Sequence, residues 1–398
     1  MASPEYPLAG LKVLDLSRVL AGPFAGRMLS DLGADVVKVE PPDGDLTRNW
    51  GRVIAGLPGY YFQQNAGKRN ISIDLRAPGG RELVIELVRR ADVLIENYRP
   101  DVMGRLGLGY ETLKAANPRL VMLSISGFGR DGPESHRPAF APIVHAEAGL
   151  MERAQRRGAA GRGELPLSVA DTNAALHWLV GLLAALLMRE RTGEGQHIDI
   201  AMIDATVATD DQLHYDIEGS DGTGPMPSDT WETGAGPVLL SGDFRYIWRL
   251  ATGKLGVPEP ATPQMDLPQK IAARRAAMER FMRSLSTWDE IEAAMARINV
   301  AWGWVRPAAL MRDQPTLKAR GAFVEVDDRA GGTRPVAQSP YRLSAAASGI
   351  RGPAPYRGEH NAEVLEEWLG LRSDAVDELE AAGVLGRETA PALAGVAV

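Results

Sequence analysis

The residues with the clearest chemical potential open the run SVADTNAALHWLVGLLAALLMRERTGEGQ, residues 168–196. Asp171 stands at its mouth, and an apolar stretch from Ala174 to Met188 follows, interrupted only by His177. Asp is a preferred helix N-cap, because its carboxylate accepts first-turn amide hydrogens and meets the positive end of the helix dipole. A carboxylate held ionised in that way inside an apolar pocket is also a usable nucleophile toward an activated acyl group. The two roles are compatible, and both stay open at this point. Of the six histidines, His177 lies within the apolar run and reads as a hydrogen-bonded core residue. His145 lies in the segment leading toward Asp171 and is a candidate for the substrate pocket. No H-E-x-x-H spacing occurs, so no metal site is expected from pattern.

Other motifs lead elsewhere and stop. GFGRDG at Gly127–Gly132 fits G-x-G-x-x-G and follows a strand, but the next residues, PESHRP, carry two prolines and do not open a helix. Without a helix N-terminus there is nothing to receive a pyrophosphate, so a nicotinamide site is not expected. Neither G-x-x-x-x-G-K-[ST] nor G-x-S-x-G occurs, which weighs against a P-loop ATPase and an α/β-hydrolase. There are no cysteines, so disulfides, zinc thiolates, iron–sulfur clusters and thiol nucleophiles are excluded.

The elements that must position Asp171 begin with an alternating pattern. Strands are expected at Leu11–Leu16, Asp35–Val39, Ile71–Leu75, Asp92–Glu96 and Leu120–Ser126. Between them lie a helix from Pro23 to Gly33, one from Pro78 to about Arg90, and a short one at Tyr110–Ala116. Val-, Ile- and Leu-rich strands separated by helices indicate α/β architecture with a parallel sheet covered on both faces. A Gly-containing turn at Arg191–Gln196 and a further strand, HIDIAMI, follow the apolar helix.

With 398 residues the chain is expected to form two domains, or one domain with a large insertion. Composition shifts to Gly, Ser, Asp, Thr and Pro near Glu218–Pro237, which marks a boundary. The division expected is 1–217 as the first part of a large domain, 218–236 as a linker, 237–315 as a small domain, and 316–398 as a return segment completing the large one. Two amphipathic helices centre the small domain. Ile271, Met278, Phe281, Met282 and Leu285 mark one face of the first; Trp288, Ile291, Met295 and Ile298 mark the second, with Thr287 and Glu290 spaced as a capping box. A net charge of −7 argues against general affinity for nucleic acid or anionic membrane. The apolar run is shorter than the roughly 20 residues of a membrane span, so it reads as a buried core helix. The N-terminal stretch lacks a basic region followed by a long apolar run, and a cytoplasmic protein is expected.

Several blocks in order now carry a resemblance: LAGLKVLDLSRVLAGPFAGRMLSDLGADVVKVEPPDGDLTR, NAGKRNISIDL, ADVLIENYRPDVMGRLGLGYETLKAANPRLVMLSISGFGRDGP, Asp171 with RTGEGQHIDIAM, and later DQPTLKARGAFVEV and PYRGEHNAEVL. Together they resemble family III CoA transferases (the CaiB/BaiF family), which include formyl-CoA:oxalate and carnitine-related transferases and α-methylacyl-CoA racemases. The likeness covers Leu8–Thr206 and resumes at Pro315–Gly370, leaving Glu218–Trp304 poorly matched.

The resemblance implies a Rossmann-like large domain, a smaller α+β domain, and a homodimer whose chains interlink like two rings. It implies a transferase with no permanently bound cofactor, whose partners are an acyl-CoA and a carboxylic acid. Asp171 would be the nucleophile, passing through acyl–aspartyl anhydride and aspartyl–CoA thioester stages. Coenzyme contacts carry over to Arg18, Val19, Leu20 and Ala21, to Ile73 and Arg76, to Asn97 and Tyr98, to Arg105 and Leu106, and to Arg137. Guanidinium groups there suit the coenzyme's phosphates.

Departures set the alternatives. Racemases of the family carry a His–Asp pair where this chain has Phe140 and Ala141, which removes one of two bases and ranks an acyl-CoA racemase second. A CoA-binding protein without chemistry is the reading from another class. Leu20 stands where oxalate-specific members have a polar side chain, and GAG at Gly234–Gly236 is only weakly similar to their glycine run. A larger or less polar acceptor acid is expected.

Overall fold

A computed structural model describes residues 5–156, 163–220 and 228–388. The chain forms two compact units: residues up to Asp210 together with those from Lys318 on, and Asp211–Leu317.

The large unit is built on six parallel strands: β1 (Lys12–Asp15), β2 (Asp35–Glu40), β3 (Arg69–Ser72), β4 (Val93–Glu96), β5 (Val121–Ser126) and β6 (His197–Ala201), in the order β3-β2-β1-β4-β5-β6. Successive strand residues face opposite sides. Val13, Val93, Ile95, Val121 and Leu123 therefore join one core, while Leu14, Val37, Leu94 and Met122 join the other. The first face is covered by α1 (Ala21–Asp31) and the long helix near Asp171; the second by α2 (Gly80–Val88), α3 (Tyr110–Ala116) and the C-terminal helix Asn361–Leu369. Val364, Leu365 and Trp368 of that last helix complete the second core, so the chain's end returns to the large unit.

Local differences from expectation have physical causes. The third strand ends at Ser72; Ile73 still donates its amide to the Glu40 carbonyl at 2.9 Å and also bridges Leu385. α1 begins at Ala21, and Pro23 is its third residue, not its first. Gly22 permits this early start, since a Cβ there would lie 2.1 Å from that of Ser17. α4 (Ala141–Glu147) opens well beyond the GFGRDG turn, so no helix receives a ligand at those glycines.

α5 (Val169–Thr192) corrects two expectations. Ser168 takes the N-cap position and Asp171 is the third helical residue. The helix is also buried on one side only. Ala174, Trp178, Leu182 and Ala185 enter the core, whereas Leu176, Val180, Leu183 and Leu187 stay exposed along a stripe. By length and composition α5 could cross a membrane, yet its Trp178 face is core packing of the large unit. Gly193, at φ 76°, ends it in the left-handed cap that glycine favours. α6 (Met202–Thr209) follows β6 directly.

In the small unit Ser228–Trp231, Val238–Ser241 and Ala301–Trp304 form an antiparallel sheet against helices Leu267–Ser284 and Trp288–Ile298. The first of those strands falls inside the expected linker 218–236, so that stretch supplies a structural strand; its residues 221–227 lie outside the described residues. The Thr287–Glu290 capping box forms, and Asp266 with Gln269 makes a second one that pattern reading missed.

Candidate active site

Sheet order reverses between β1 and β4: the chain runs outward from β1 to β2 and β3, then returns to β1's other side. Open α/β sheets bind ligands in the crevice at such a point, beyond the strand carboxyl ends. There the loops after β1 and β4 are clasped together. The Arg18 amide donates to Asn97 Oδ1 at 2.8 Å, and Asn97 Nδ2 donates to the Arg18 carbonyl at 2.7 Å. The Arg18 guanidinium lies over the Tyr98 ring at 5.2 Å. Buried Glu96 orients Tyr98 by accepting its amide hydrogen at 2.8 Å.

A cavity of about 190 Å³ opens at this crevice and is lined by Asp171 with Arg18, Val19, Ala21, Asn97, Tyr98 and Arg137. Its other walls include apolar Leu46, Ile125, Phe140 and Met202 beside polar Ser126 and Ser135, so its lining is mixed. It is smaller than the roughly 300–1,000 Å³ of pockets that enclose a whole ligand. It suits the reactive end of a larger molecule.

Asp171 is partly buried, and the backbone N–H groups of Ala21 and Ala141 lie near enough to its carboxylate to favour the charged form. These are the first residues of α1 and α4, while Asp171 itself lies in the first turn of α5. Burial outweighs these donors and raises the carboxyl from its usual range to about 6. Above that pH the group is an anion, poorly hydrated and aimed into a cavity. Such a group can attack an activated carbonyl. Tyr60 lies close enough to feel this charge: burial, then Asp171, then Asp45 push its hydroxyl up to about 12.

Six expected positions lie outside the cavity lining. Leu20 is buried and immediately precedes α1, so it is not exposed as an acceptor-selecting side chain. Ile73 is a core residue, and exposed Arg76 follows it in the loop beyond β3. Arg105 is exposed and paired with Asp101 at 3.0 Å, while Leu106 packs on the second core. His145, expected at the substrate pocket, is buried in α4, where its Nε2 accepts the Ala170 amide hydrogen at 3.1 Å. An accepting Nε2 is unprotonated, and burial lowers the imidazole's basicity against the opposing charge of Glu164. The imidazole thus caps α5, the role first read for Asp171. Arg137 does reach the cavity, but its guanidinium is engaged by Glu134 and, at 2.6 Å, by Glu147.

Phe140 is exposed on the cavity wall and Ala141 presents only its amide, so no imidazole occupies the place of the racemase base. Leu46 and Met202, which line the cavity, and Tyr60, which feels the Asp171 charge, were not legible as site residues, because each comes from a different segment. A larger cavity of about 650 Å³ lies between α2 and the C-terminal helices and contains none of the expected residues.

Comparison with known proteins places this geometry in context. The model of CoA-transferase family III matches residues 8–361. The succinyl-CoA–D-citramalate CoA-transferase of Chloroflexus aurantiacus is 33% identical over 96% of this chain and 99% of its own length. The succinate–glutarate CoA-transferase of Agrobacterium fabrum is 34% identical over 92% of this chain and 97% of its own. Among solved structures, a CaiB/BaiF family protein from Brucella suis superposes with a TM-score of 0.78 at 34% identity, covering 92% of this chain and all of that one.

Proposed function

Since the chain belongs to CoA-transferase family III, we propose that it moves coenzyme A from a donor acyl-CoA to an acceptor carboxylic acid with Asp171 as the covalent nucleophile. The observation that carries this is the Asp171 carboxylate, which lines the crevice cavity with the amides of Ala21 and Ala141 near it.

The carboxylate attacks the donor thioester carbonyl, and CoA leaves as thiolate, giving a mixed acyl–aspartyl anhydride. The thiolate then attacks the aspartyl carbonyl, expels the donor carboxylate and forms an aspartyl–CoA thioester. The acceptor carboxylate attacks that same carbonyl and frees the thiolate again. Finally the thiolate attacks the acceptor's acyl carbon, and Asp171 returns as carboxylate. No proton or electron is gained or lost over the cycle. In the two middle steps the aspartyl oxygen becomes an oxyanion where the carboxylate oxygen lay, and the Ala21 and Ala141 amides stabilise it there.

Arg18, Val19, Ala21, Asn97, Tyr98 and Arg137 bind the coenzyme's reactive arm, while Arg76, Arg105 and Leu106 serve its distal part along the strand ends, and buried Ile73 supports that loop from the core. The apolar walls at Leu46, Phe140 and Met202 favour a larger or less polar acceptor acid. The chain acts as a homodimer, and the exposed stripe Leu176–Val180–Leu183–Leu187 is apolar surface suited to burial against another copy. Sedimentation velocity at micromolar concentration checks this; a single-chain mass would end the dimer reading.

Hydroxylamine added with an acyl-CoA should leave a hydroxamate on Asp171, found by peptide mass. Asp171→Ala should lose about 10⁴-fold or more in transfer rate while CoA affinity stays within a few fold. Full activity in that variant would overturn the assignment.

A further inference from the structure

Lys38 sits within β2, a central strand of a parallel sheet, and its side chain is fully buried. Its ammonium donates to the Ser17 carbonyl at 2.7 Å and to Asp45 Oδ2 at 3.1 Å. Asp45 is buried as well and gathers further donors. The Thr47 amide and hydroxyl reach Oδ1 at 3.0 and 2.9 Å, and the Val19 amide reaches the two carboxylate oxygens at 3.3 and 3.2 Å. On the other side of Ser17, Asp15 accepts its amide at 3.0 Å and is itself paired with buried Lys68 at 2.8 Å. The loop after β1 is thus gripped at Ser17 N–H, Ser17 C=O and Val19 N–H by buried charged groups.

Val19 shows what the grip does. Its φ is +69°, a left-handed conformation that a β-branched residue adopts only when its surroundings impose it. Burial by itself would raise Asp45, but Lys38 and Thr47 outweigh it and hold the carboxyl below its usual range. Lys38 is held above its usual value in the same way, against burial, by Asp45, Asp15 and Glu40. Both are charged at neutral pH. A buried ion pair is weak evidence for stability, since apolar residues of similar volume often replace one without loss. The pair here has a geometric consequence that apolar residues could not supply.

Two walls of the cavity depend on it. Val19 and Ala21 form one wall, and the Ala21 amide lies near enough to the Asp171 carboxylate to favour its charged form. Leu46 belongs to the other, at the start of the 3₁₀ turn Leu46–Asn49 that Asp45 caps. Neither Lys38 nor Asp45 lines the cavity. We propose that Asp45, fixed by Lys38, is a positioning residue for the reaction: it imposes the left-handed turn at Val19 and seats Leu46, and so sets the Ala21 amide on Asp171. This rests on Asp171 being the nucleophile.

The test is a cycle of Asp45→Asn, Thr47→Val and Val19→Gly in the full-length protein. Glycine takes a φ of +69° without strain, so it needs the clamp least. Asp45→Asn should lower the turnover rate about 10–100-fold, the scale of a small misplacement of a catalytic group, and Thr47→Val should lower it less. Adding Val19→Gly to either should restore much of the loss. Loss without recovery in the Val19→Gly double variants would overturn the proposal, because a merely structural Asp45 gains nothing from glycine at 19. Hydrogen exchange of a peptide spanning 17–21 reads the same loop without needing activity. It should speed about tenfold or more in Asp45→Asn while β4 and β5 peptides hold, and unchanged protection would equally overturn the proposal. Thr47→Val keeps the ion pair intact and covers the case in which Asp45→Asn fails to fold. Absence of hydroxamate at Asp171 in the unmodified protein would instead refute the nucleophile assignment, with the exchange result still deciding the clamp.

Discussion

The two units treat buried polarity in opposite ways. In the large unit Asp15, Lys38, Glu40, Asp45 and Lys68 are almost completely buried, within β1 and β2 and in the loops that flank β2 and β3. The small unit's core is Trp231, Val238, Leu240, Ile247, Met278, Met282, Ile291 and Met295. Among the described residues, the fully buried polar and charged side chains all lie in the large unit. An apolar core contributes stability without direction, since burial of apolar surface scales with area. Charged hydrogen bonds are directional, and burying them is costly unless every partner is present. The contrast separates the places where the molecule needs stability from those where it needs geometry. Directed interactions lie beside the crevice, around a strained Val19 and a half-open Asp171.

That division can be attacked experimentally. Lys38→Met leaves Asp45 buried without its cation and should cost about 3–5 kcal/mol in unfolding free energy. Lys38→Met with Asp45→Leu should recover most of that stability but little transfer activity. If activity returns along with stability, the charges serve packing after all. Denaturant unfolding and turnover of the same samples decide it.

Asp171→Asn is expected next in size, and here stability and activity should part. The folded-state carboxyl titrates near 6 instead of 3.8, so the native state prefers the protonated form. Ionisation above pH 6 therefore destabilises the fold, and stability from this group is full below about 4. Asn avoids that cost, so at pH 8 the variant should be more stable by up to about 3 kcal/mol, at roughly 1.4 kcal/mol for each tenfold change in proton affinity. Near pH 4 the advantage should vanish. Transfer by the unmodified protein should rise with pH through about 6, as the nucleophile ionises. An equal stability gain at both pH values would show that Asp171 is not so perturbed.

The smallest effect belongs to the small unit. Thr287→Ala removes a capping-box acceptor for the Glu290 amide. It should cost about 1 kcal/mol and leave transfer activity intact. A large activity loss from this change would erase the division of labour between the units.

Much of this was legible in the residues. Alternation around β1–β6 was readable because parallel strands buried on both faces become short runs of Val, Ile and Leu. Asp171 stood out because a carboxylate directly before a long apolar run is conspicuous, and its place in the first turn of α5 follows. Its partners were not legible. Ala21 and Ala141 contribute only amides, which no side-chain pattern encodes. His145 read as a pocket residue because its sequence position leads toward Asp171, whereas its ring bonds Ala170 from beneath the helix.

Residue order alone was enough for the alternation of strands and helices, the acid at the mouth of α5, the capping box at Thr287, and the family likeness of its blocks. These are local matters, fixed by periodicity and by side chains within a few residues of one another. Folding in three dimensions settled which side of an all-apolar helix is covered, since periodicity is blank when every face is apolar. It also settled that Lys38 meets Asp45 beneath Val19, because that pairing depends on how a strand and two loops close over one another. The acid was written in the chain, and the amides and buried charges that aim it came from folding.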